Sequence, residues 1–336
     1  MSLIPQTYQD KIQGVLFGQA IGDALGLGTE FLTKNKIKLY YPNGLNDYKQ
    51  IIDSPHTRRW QKGEWTDDTN MMLCILESLL ANQGLAVEDI AQRWKNWAKE
   101  DGRGIGQLTI RMIANKQFVN DAIDIAKRDW QKTGANNAPN GGVMRTSAVG
   151  LWQHWNLSQV ANYAEVICSM THADPRCIES ARIISLAIAR LINGELATNI
   201  FDDLQHGVSD EAKLFFDKVA SDDISLLDLD GSQSNNIDPM YGYTFKAMGA
   251  GLWASVNARN FEEGLLSVIH EGGDADTNAA VAGAVLGARF GISAIPEKWI
   301  VGLVHQKRLL KQAELLIKNN FSVMEANQMI DNLNLG

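Results

Sequence analysis

Residues 66–80, TDDTNMMLCILESLL, decide how this sequence folds. The apolar residues of this segment recur at the i, i+3 and i+4 positions of an amphipathic helix, which is predicted over 69–83. Thr66, Asp67 and Asp68 stand where that helix begins, and hydroxyl and acidic side chains there commonly cap the free N–H groups of the first turn. One cap needs only one such side chain, so this segment carries more acid than capping requires.

A second acidic cluster lies near the other end of the chain. Residues 272–277, GGDADT, again place two aspartates and a threonine before an apolar, helix-like run. Four carboxylates brought to one place would repel one another unless cations lay between them. An all-oxygen ligand set suits hard ions such as Mg²⁺, Mn²⁺ or Ca²⁺ rather than zinc. The two clusters therefore predict a binuclear metal centre, formed when the two ends of the chain fold together.

Helical periodicity dominates the rest of the sequence, and strand signals are nearly absent. Residues 34–64 and 221–241 are rich in turn-forming or polar residues and are predicted to be irregular connections. Neither has the length or composition of a domain linker, so we expect one all-α domain over residues 8–336. Further helices are predicted over 11–27, 87–99, 158–170, 175–192, 243–258, 261–270, 277–290, 307–318 and 322–332.

Composition and charge argue against several classes of protein. The 336 residues carry a net charge of −8, from 31 basic and 39 acidic residues, and no long basic run is present. Nucleic acid is therefore not expected as a bulk electrostatic partner. Three cysteines are too few and too scattered for a disulfide framework, which indicates a reducing compartment. We find no signal peptide and no stretch long enough to span a membrane, so we expect a cytoplasmic protein without a membrane partner.

Five motifs occur in a fixed order along the chain: GDALG at 22–26 followed by Glu30-Phe31, WTDDT at 65–69, NGGVMR at 140–145, Thr171-His172, and GGDADT at 272–277. Together these motifs resemble the ADP-ribosylglycohydrolase family. The resemblance extends from about residue 12 to residue 299 and implies a compact, single-domain orthogonal helical bundle. It also implies a hydrolase that releases ADP-ribose from a modified protein side chain or a small acceptor, with two Mg²⁺ or Mn²⁺ ions at its centre.

The resemblance assigns roles to individual acidic residues. Glu30 is expected to be the catalytic carboxylate, which either moves a proton or positions water and metal. Asp23 is expected to form supporting hydrogen bonds rather than to bind metal directly. Ala275 stands where many members of the family have a threonine, and its side chain need not bind metal. The implied metal ligands are Thr66, Asp67, Asp68, Asp274, Asp276 and Thr277.

The resemblance also implies a binding site for the nucleotide part of the ligand. The amides of the glycine-rich turn at 140–144 are expected to hold a diphosphate. Arg145 either faces the ligand or anchors this loop. Gly104-Ile105-Gly106 replaces an Asp-Ile-Gly stretch of some members, which removes a candidate base and is more similar to the serine-directed branch. The expected substrate-binding residues are Gly104, Gly106, Asn140, Gly141, Gly142, Val143, Met144 and His172.

Two other functions fit the same residues. A binuclear-metal phosphohydrolase would cut a phosphoester or diphosphate and would release AMP or phosphate instead of ADP-ribose. A non-enzymatic relative would bind ADP-ribose, or would serve a structural or immunity role through a loop such as 34–64. The intact metal-ligand positions favour a hydrolase over a binding protein. The acceptor linkage, whether arginine, serine or another group, stays open.

Overall fold

The computed structural model describes residues 6–233 and 241–334, and side-chain burial is described up to residue 325. These residues form sixteen α-helices, and their only β-type pairing is an isolated bridge between Pro139 and Tyr243. The predicted all-α fold is confirmed. The helices are α1 (Gln6–Gly26), α2 (Lys34–Tyr40), α3 (Asp67–Asn82), α4 (Val87–Glu100), α5 (Gln107–Ile113), α6 (Phe118–Lys132), α7 (Ser147–Leu151), α8 (Leu157–Ser169), α9 (Pro175–Ile192), α10 (Ala197–Leu204), α11 (Asp210–Val219), α12 (Thr244–Asn257), α13 (Phe261–Ile269), α14 (Ala275–Phe290), α15 (Glu297–Gly302) and α16 (Gln306–Asn334).

The close packing of α1 against α14 organises the site. Gly18 of α1 lies against Gly283 of α14, and a Cβ atom on either residue would overlap the carbonyl oxygen of the other. The same small-residue contact recurs between Gly26 and Ala275, where α1 ends and α14 begins. Small side chains let the two helix backbones approach closely, and both helices are buried along most of their length. The antiparallel arrangement brings the residues that follow α1 next to the start of α14.

Several predicted boundaries were wrong. Residues 307–318 and 322–332 belong to one continuous helix, α16, although Asn319 and Asn320 resemble a break. The buried amide of Asn320 donates to the carbonyl of Leu151, so this polar residue is satisfied inside the helix. The segment 34–64, predicted as irregular, contains α2 and two 3₁₀ turns. The helices α5, α6, α10, α11 and α15, which are short or have a narrow buried face, were not predicted.

Three further expectations concern the connection at 221–241, the domain boundaries and the absence of a membrane span. Residues 221–233 contain a 3₁₀ turn at Ile224–Leu227, and 234–240 lie outside the described residues. One large cluster of buried apolar side chains includes residues from Ile12 to Ile317, whereas the domain boundaries 8–336 stay a prediction. None of the described helices is long and apolar enough to cross a bilayer.

Candidate metal centre and ligand cavity

A cavity of about 330 Å³ lies where α1 ends and where α3, α5 and α14 begin. It is smaller than three other cavities of 600 to 630 Å³, and its interest comes from the chemistry of its lining. Most of the predicted site residues line it, but Thr66, Gly142 and Val143 do not. The predicted residues that line it are Glu30, Asp67, Asp68, Gly104, Gly106, Asn140, Gly141, Met144, His172, Asp274, Asp276 and Thr277.

A glycine turn joins the second acidic cluster to the Glu30 loop. Gly273 accepts a hydrogen bond from the amide of Phe31 at 2.6 Å and donates one to the carbonyl of Leu32 at 2.9 Å. Its φ of +69° is a conformation that glycine adopts without strain, and a Cβ atom there would overlap the carbonyl oxygen of Leu229. These paired hydrogen bonds hold Glu30 beside the aspartates that follow the turn.

Three carboxylates meet as a result of this pairing. Glu30, Asp274 and Asp276 each offer a carboxylate oxygen, and these atoms lie within 4.8 Å of one another. Burial, followed by the charges of Glu30 and Asp274, raises the pKa of Asp276 well above its usual range. Burial also raises the pKa of Glu30. A cluster of this kind is unfavourable without a counter-ion, and hard divalent cations take carboxylate oxygens as ligands.

The first acidic cluster is positioned by Asp23 of α1. The carboxylate of Asp23 accepts hydrogen bonds from the amide of Thr66 at 2.8 Å, the amide of Thr69 at 3.0 Å and the hydroxyl of Thr69 at 2.6 Å. Asp23 therefore satisfies the free N–H groups where α3 begins. Burial raises the pKa of Asp23 to about 6 in spite of these donors. The arrangement agrees with the expected hydrogen-bonding role of Asp23.

Because Asp23 does the capping, Asp67 and Asp68 face the cavity. Burial and the charge of Asp23 raise the pKa of both carboxyl groups well above their usual range. Asp68 Oδ1 is buried and has no hydrogen-bond donor, while Asp68 Oδ2 accepts from the Thr66 hydroxyl at 3.3 Å. An orphaned carboxylate oxygen in an all-oxygen cluster fits a hard divalent cation. The hydroxyl of Thr66 contacts Asp68, and its role as a metal ligand stays a prediction.

Glycine is required at position 104 because the chain passes directly over Asp67. Gly104 has a φ of +91°, and a Cβ atom there would overlap Asp67 Oδ1. Gly106 lines the same wall of the cavity, where a Cβ atom would meet nothing within 4 Å. The two glycines thus differ: one makes room for a carboxylate, and the other leaves open space for a ligand.

The loop at 140–145 contacts the second acidic cluster directly, and it is joined to the first through Gln19, which also contacts the carbonyl of Asp68. The side-chain amide of Asn140 donates to Asp274 Oδ2 at 2.8 Å, and the carbonyl of Met144 accepts from Gln19 Nε2 at 2.9 Å. Gly142 packs toward the sulfur of Cys168 rather than toward the cavity. The loop continues into a short 3₁₀ turn, Val143–Arg145, and not directly into an α-helix. Of the predicted loop residues, Asn140, Gly141 and Met144 therefore face the cavity.

The sequence left two positions for Arg145, and the structure distinguishes them. Arg145 is fully buried and does not line the cavity; its guanidinium donates to the hydroxyl of Thr171 at 2.5 Å. Arg145 therefore anchors the loop from outside the cavity. His172 lines the cavity, and its Nδ1 lies 2.6 Å from the same hydroxyl. Burial lowers the pKa of His172 well below its usual range, so the ring is neutral.

Two residues near the site were missed by the sequence reasoning. His56 Nε2 lies 2.5 Å from Glu30 Oε2, yet His56 sits in a segment that gave no signal beyond turn chemistry. Gln19 is fully buried and joins the carbonyls of Asp68 and Met144. A signal for Gln19 did exist, because it is a polar residue within an otherwise apolar and small-residue stretch of α1.

The sequence and the fold of this chain are similar to those of known proteins. The sequence model of a family described as ADP-ribosylglycohydrolase matches residues 4–326. An ADP-ribosylarginine hydrolase Tri1 of Serratia proteamaculans is 28% identical over 327 residues, covering 94% of this chain and 81% of that protein. An ADP-ribosyl-(dinitrogen reductase) glycohydrolase of Rhodospirillum rubrum is 24% identical over 310 residues, covering 92% and 96%. A solved structure of an ADP-ribosylglycohydrolase-related protein complex superimposes with a TM-score of 0.72 at 25% identity, covering 94% of this chain and 100% of that chain. The similarity extends over nearly the whole chain.

Proposed function

This chain belongs to the ADP-ribosylglycohydrolase family and is a hydrolase, and from that premise we propose that it releases ADP-ribose from an ADP-ribosylated protein or a small ADP-ribose conjugate. The proposal includes two bound divalent cations, Mg²⁺ or Mn²⁺. The observation that carries it is the convergence of both acidic clusters and Glu30 on one cavity. Such a convergence is costly to fold and has a direct use in holding cations.

The residues that would hold the cations come from the two helix starts. Asp67 and Asp68 lie at the start of α3, and Asp274, Asp276 and Thr277 lie at the start of α14; all five line the cavity. The cations, when bound, would neutralise these carboxylates and orient the hydroxyl groups of a ribose. Thr66 would support this set through its hydrogen bond to Asp68.

Glu30 would carry the proton chemistry. Cleavage of a glycosidic bond passes through an oxocarbenium-like transition state, and a carboxyl group beside the bond can protonate the leaving group or take a proton from water. Glu30 lines the cavity, and burial raises its pKa, which favours a role in proton exchange. His56, at 2.5 Å, would orient the Glu30 carboxylate.

The rest of the ligand needs more space than the acidic part of the cavity offers. A second chamber of about 630 Å³ adjoins it and shares Phe31, Asn137, Pro139 and Asp274 with its lining. Tyr241 and Tyr243 line this chamber, and aromatic rings are suitable surfaces for a planar base. Asn140 and Gly141, which line the smaller cavity and follow the shared Pro139 in the sequence, would face the diphosphate.

The test is release of ADP-ribose from arginine-linked and serine-linked proteins, with Mg²⁺, with Mn²⁺ and with EDTA. Metal-dependent release that is lost in Asp67→Asn and Asp276→Asn supports the proposal, and the faster substrate identifies the linkage. Asp202→Asn, an exposed aspartate of α10, is the matched control and should keep full activity. Release of AMP or phosphate instead would identify a phosphohydrolase. Binding of ADP-ribose without release from any substrate would identify a non-catalytic binding protein.

A further inference from the structure

We infer that Arg145 and Thr171 hold the proton of His172 on Nε2, so that this histidine presents a neutral hydrogen-bond donor to the cavity. Arg145 and Thr171 are then positioning residues, which act on a ligand only through His172. That the ligand is ADP-ribose rests on the proposed function; the position of the proton does not.

The guanidinium of Arg145 is the starting point. It is fully buried, and no carboxylate lies within ion-pair distance of it among the described residues. Its Cζ lies 4.1 Å from the centre of the Trp94 ring, and NH1 lies 3.8 Å from Met71 Sδ. Burial lowers the pKa of Arg145 to about 10, which leaves it protonated at neutral pH. An arginine offers donors and no acceptor, so the hydrogen bond to Thr171 has a fixed direction.

The hydroxyl of Thr171 links Arg145 to His172, so the direction of its first hydrogen bond sets the direction of the second. Its oxygen accepts from Arg145 NH2 at 2.5 Å and lies 2.6 Å from His172 Nδ1. These are the two side-chain hydrogen bonds of Thr171 within the part of the chain that the structure describes. If Nδ1 carried the proton, the hydroxyl would have to accept twice, and its own hydrogen would be buried without an acceptor. That loss costs about 1–3 kcal/mol, so the hydroxyl donates to an unprotonated Nδ1.

The proton of the neutral ring therefore lies on Nε2. Burial and the nearby charge of Arg145 both disfavour a second proton on His172. The ring edge that carries Nε2 faces Gly141, because a Cβ atom on Gly141 would lie 2.8 Å from both Nε2 and Cε1. Gly141 and His172 both line the cavity. A ligand atom that meets this edge must be an acceptor, such as an oxygen of a diphosphate or a ribose.

The inference is tested on the ligand-free protein by long-range ¹H–¹⁵N correlation spectroscopy of ¹⁵N-histidine. His172→Gln assigns the signal of this ring among the six histidines. We expect the Nε2–H tautomer in the wild type and in Thr171→Ser, which keeps the hydroxyl. Thr171→Val should give a mixture of tautomers, while the ring of His154, which contacts Asn193 and not Thr171, should not change. A wild-type Nδ1–H tautomer, or an unchanged tautomer in Thr171→Val, overturns the inference.

Binding of ADP-ribose, measured by calorimetry, gives the second readout. Thr171→Val should weaken binding about tenfold, the loss expected for one hydrogen bond of about 1.4 kcal/mol, and Thr171→Ser should restore it. Equal affinity of Thr171→Val and the wild type would refute the role in ligand binding. If the wild type binds no ADP-ribose, the proposed function fails, whereas the tautomer experiment still decides the position of the proton.

Discussion

The side-chain amide of Gln19 donates a 2.9 Å hydrogen bond to the carbonyl oxygen of Met144, 125 positions further along the chain. The same nitrogen lies 3.3 Å from the carbonyl oxygen of Asp68, and the hydroxyl of Ser147 donates to Gln19 Oε1. One buried side chain on α1 thus joins the first acidic cluster to the loop at 140–145.

Gln19→Leu is expected to destabilise the protein by about 2–3 kcal/mol, because the carbonyl of Met144 and the hydroxyl of Ser147 would lose partners in a buried region. Urea unfolding followed by circular dichroism measures the change. Gln131→Leu, on the exposed face of α6, is the matched control and should stay within about 0.5 kcal/mol of the wild type. Similar losses in both variants would show that the buried hydrogen bonds are not the cause.

Asp23→Asn is expected to weaken binding of Mn²⁺ by about 10- to 100-fold, the usual effect of removing a residue that orients metal ligands. The new NH₂ group would face at least one of the donors from Thr66 and Thr69, so the start of α3 would shift. Calorimetric titration with Mn²⁺ measures the affinity, with Asp202→Asn as the control. Unchanged affinity would mean that Asp23 stabilises the helix start without affecting the metal site.

Gly104→Ala and Gly134→Ala form a matched pair. Both glycines have φ near +90°, so each substitution carries a backbone strain of about 1–2 kcal/mol. A Cβ atom on Gly134 would meet nothing within 4 Å, whereas one on Gly104 would overlap Asp67 Oδ1. We expect both variants to lose stability in thermal unfolding and only Gly104→Ala to lose metal affinity. If both variants lose metal affinity, backbone strain alone explains the loss. If neither variant loses it, Asp67 can move without affecting the metal site.

His154, which does not line the cavity, makes stability depend on pH. Burial lowers the pKa of His154 from 6.5 to about 4, and the charge of Lys11 adds to this effect. Nδ1 contacts Asn193 Oδ1 at 2.5 Å, while Nε2 is buried without a partner, so the folded state excludes a second proton. Between these two pKa values the unfolded chain binds a proton that the folded chain does not, and stability falls as the pH falls.

Lowering the pH from 7 to 5 should therefore cost about 2 kcal/mol through His154 alone. Urea unfolding at the two pH values measures this cost in the wild type and in His154→Gln, which cannot take up the proton. We expect the pH dependence of His154→Gln to be smaller by that amount. An identical dependence in both proteins would contradict the assignment of the effect to His154.

Much of the helical fold follows from local patterns. The helix Pro175–Ile192 was predicted with its observed bounds, because Asp174 and Pro175 mark its start and its apolar residues repeat at helical spacing. The helix that follows the second acidic cluster begins at Ala275, two residues before the prediction, because Asp276 and Thr277 belong to its first turn. The predicted break in α16 was wrong since the partner of Asn320, the carbonyl of Leu151, is 169 positions away in the sequence.

The sequence by itself determined the all-α class and the two helix starts that carry paired carboxylates, because periodicity and composition act over a few neighbouring residues. Only the tertiary structure decided that Glu30 meets Asp274 and Asp276, and that Arg145 is buried in the core and does not line the cavity. Those relationships depend on how closely α1 approaches α14 and on hydrogen bonds between distant segments. Contacts of that kind are set by packing of the whole core, and no local pattern of residues encodes them.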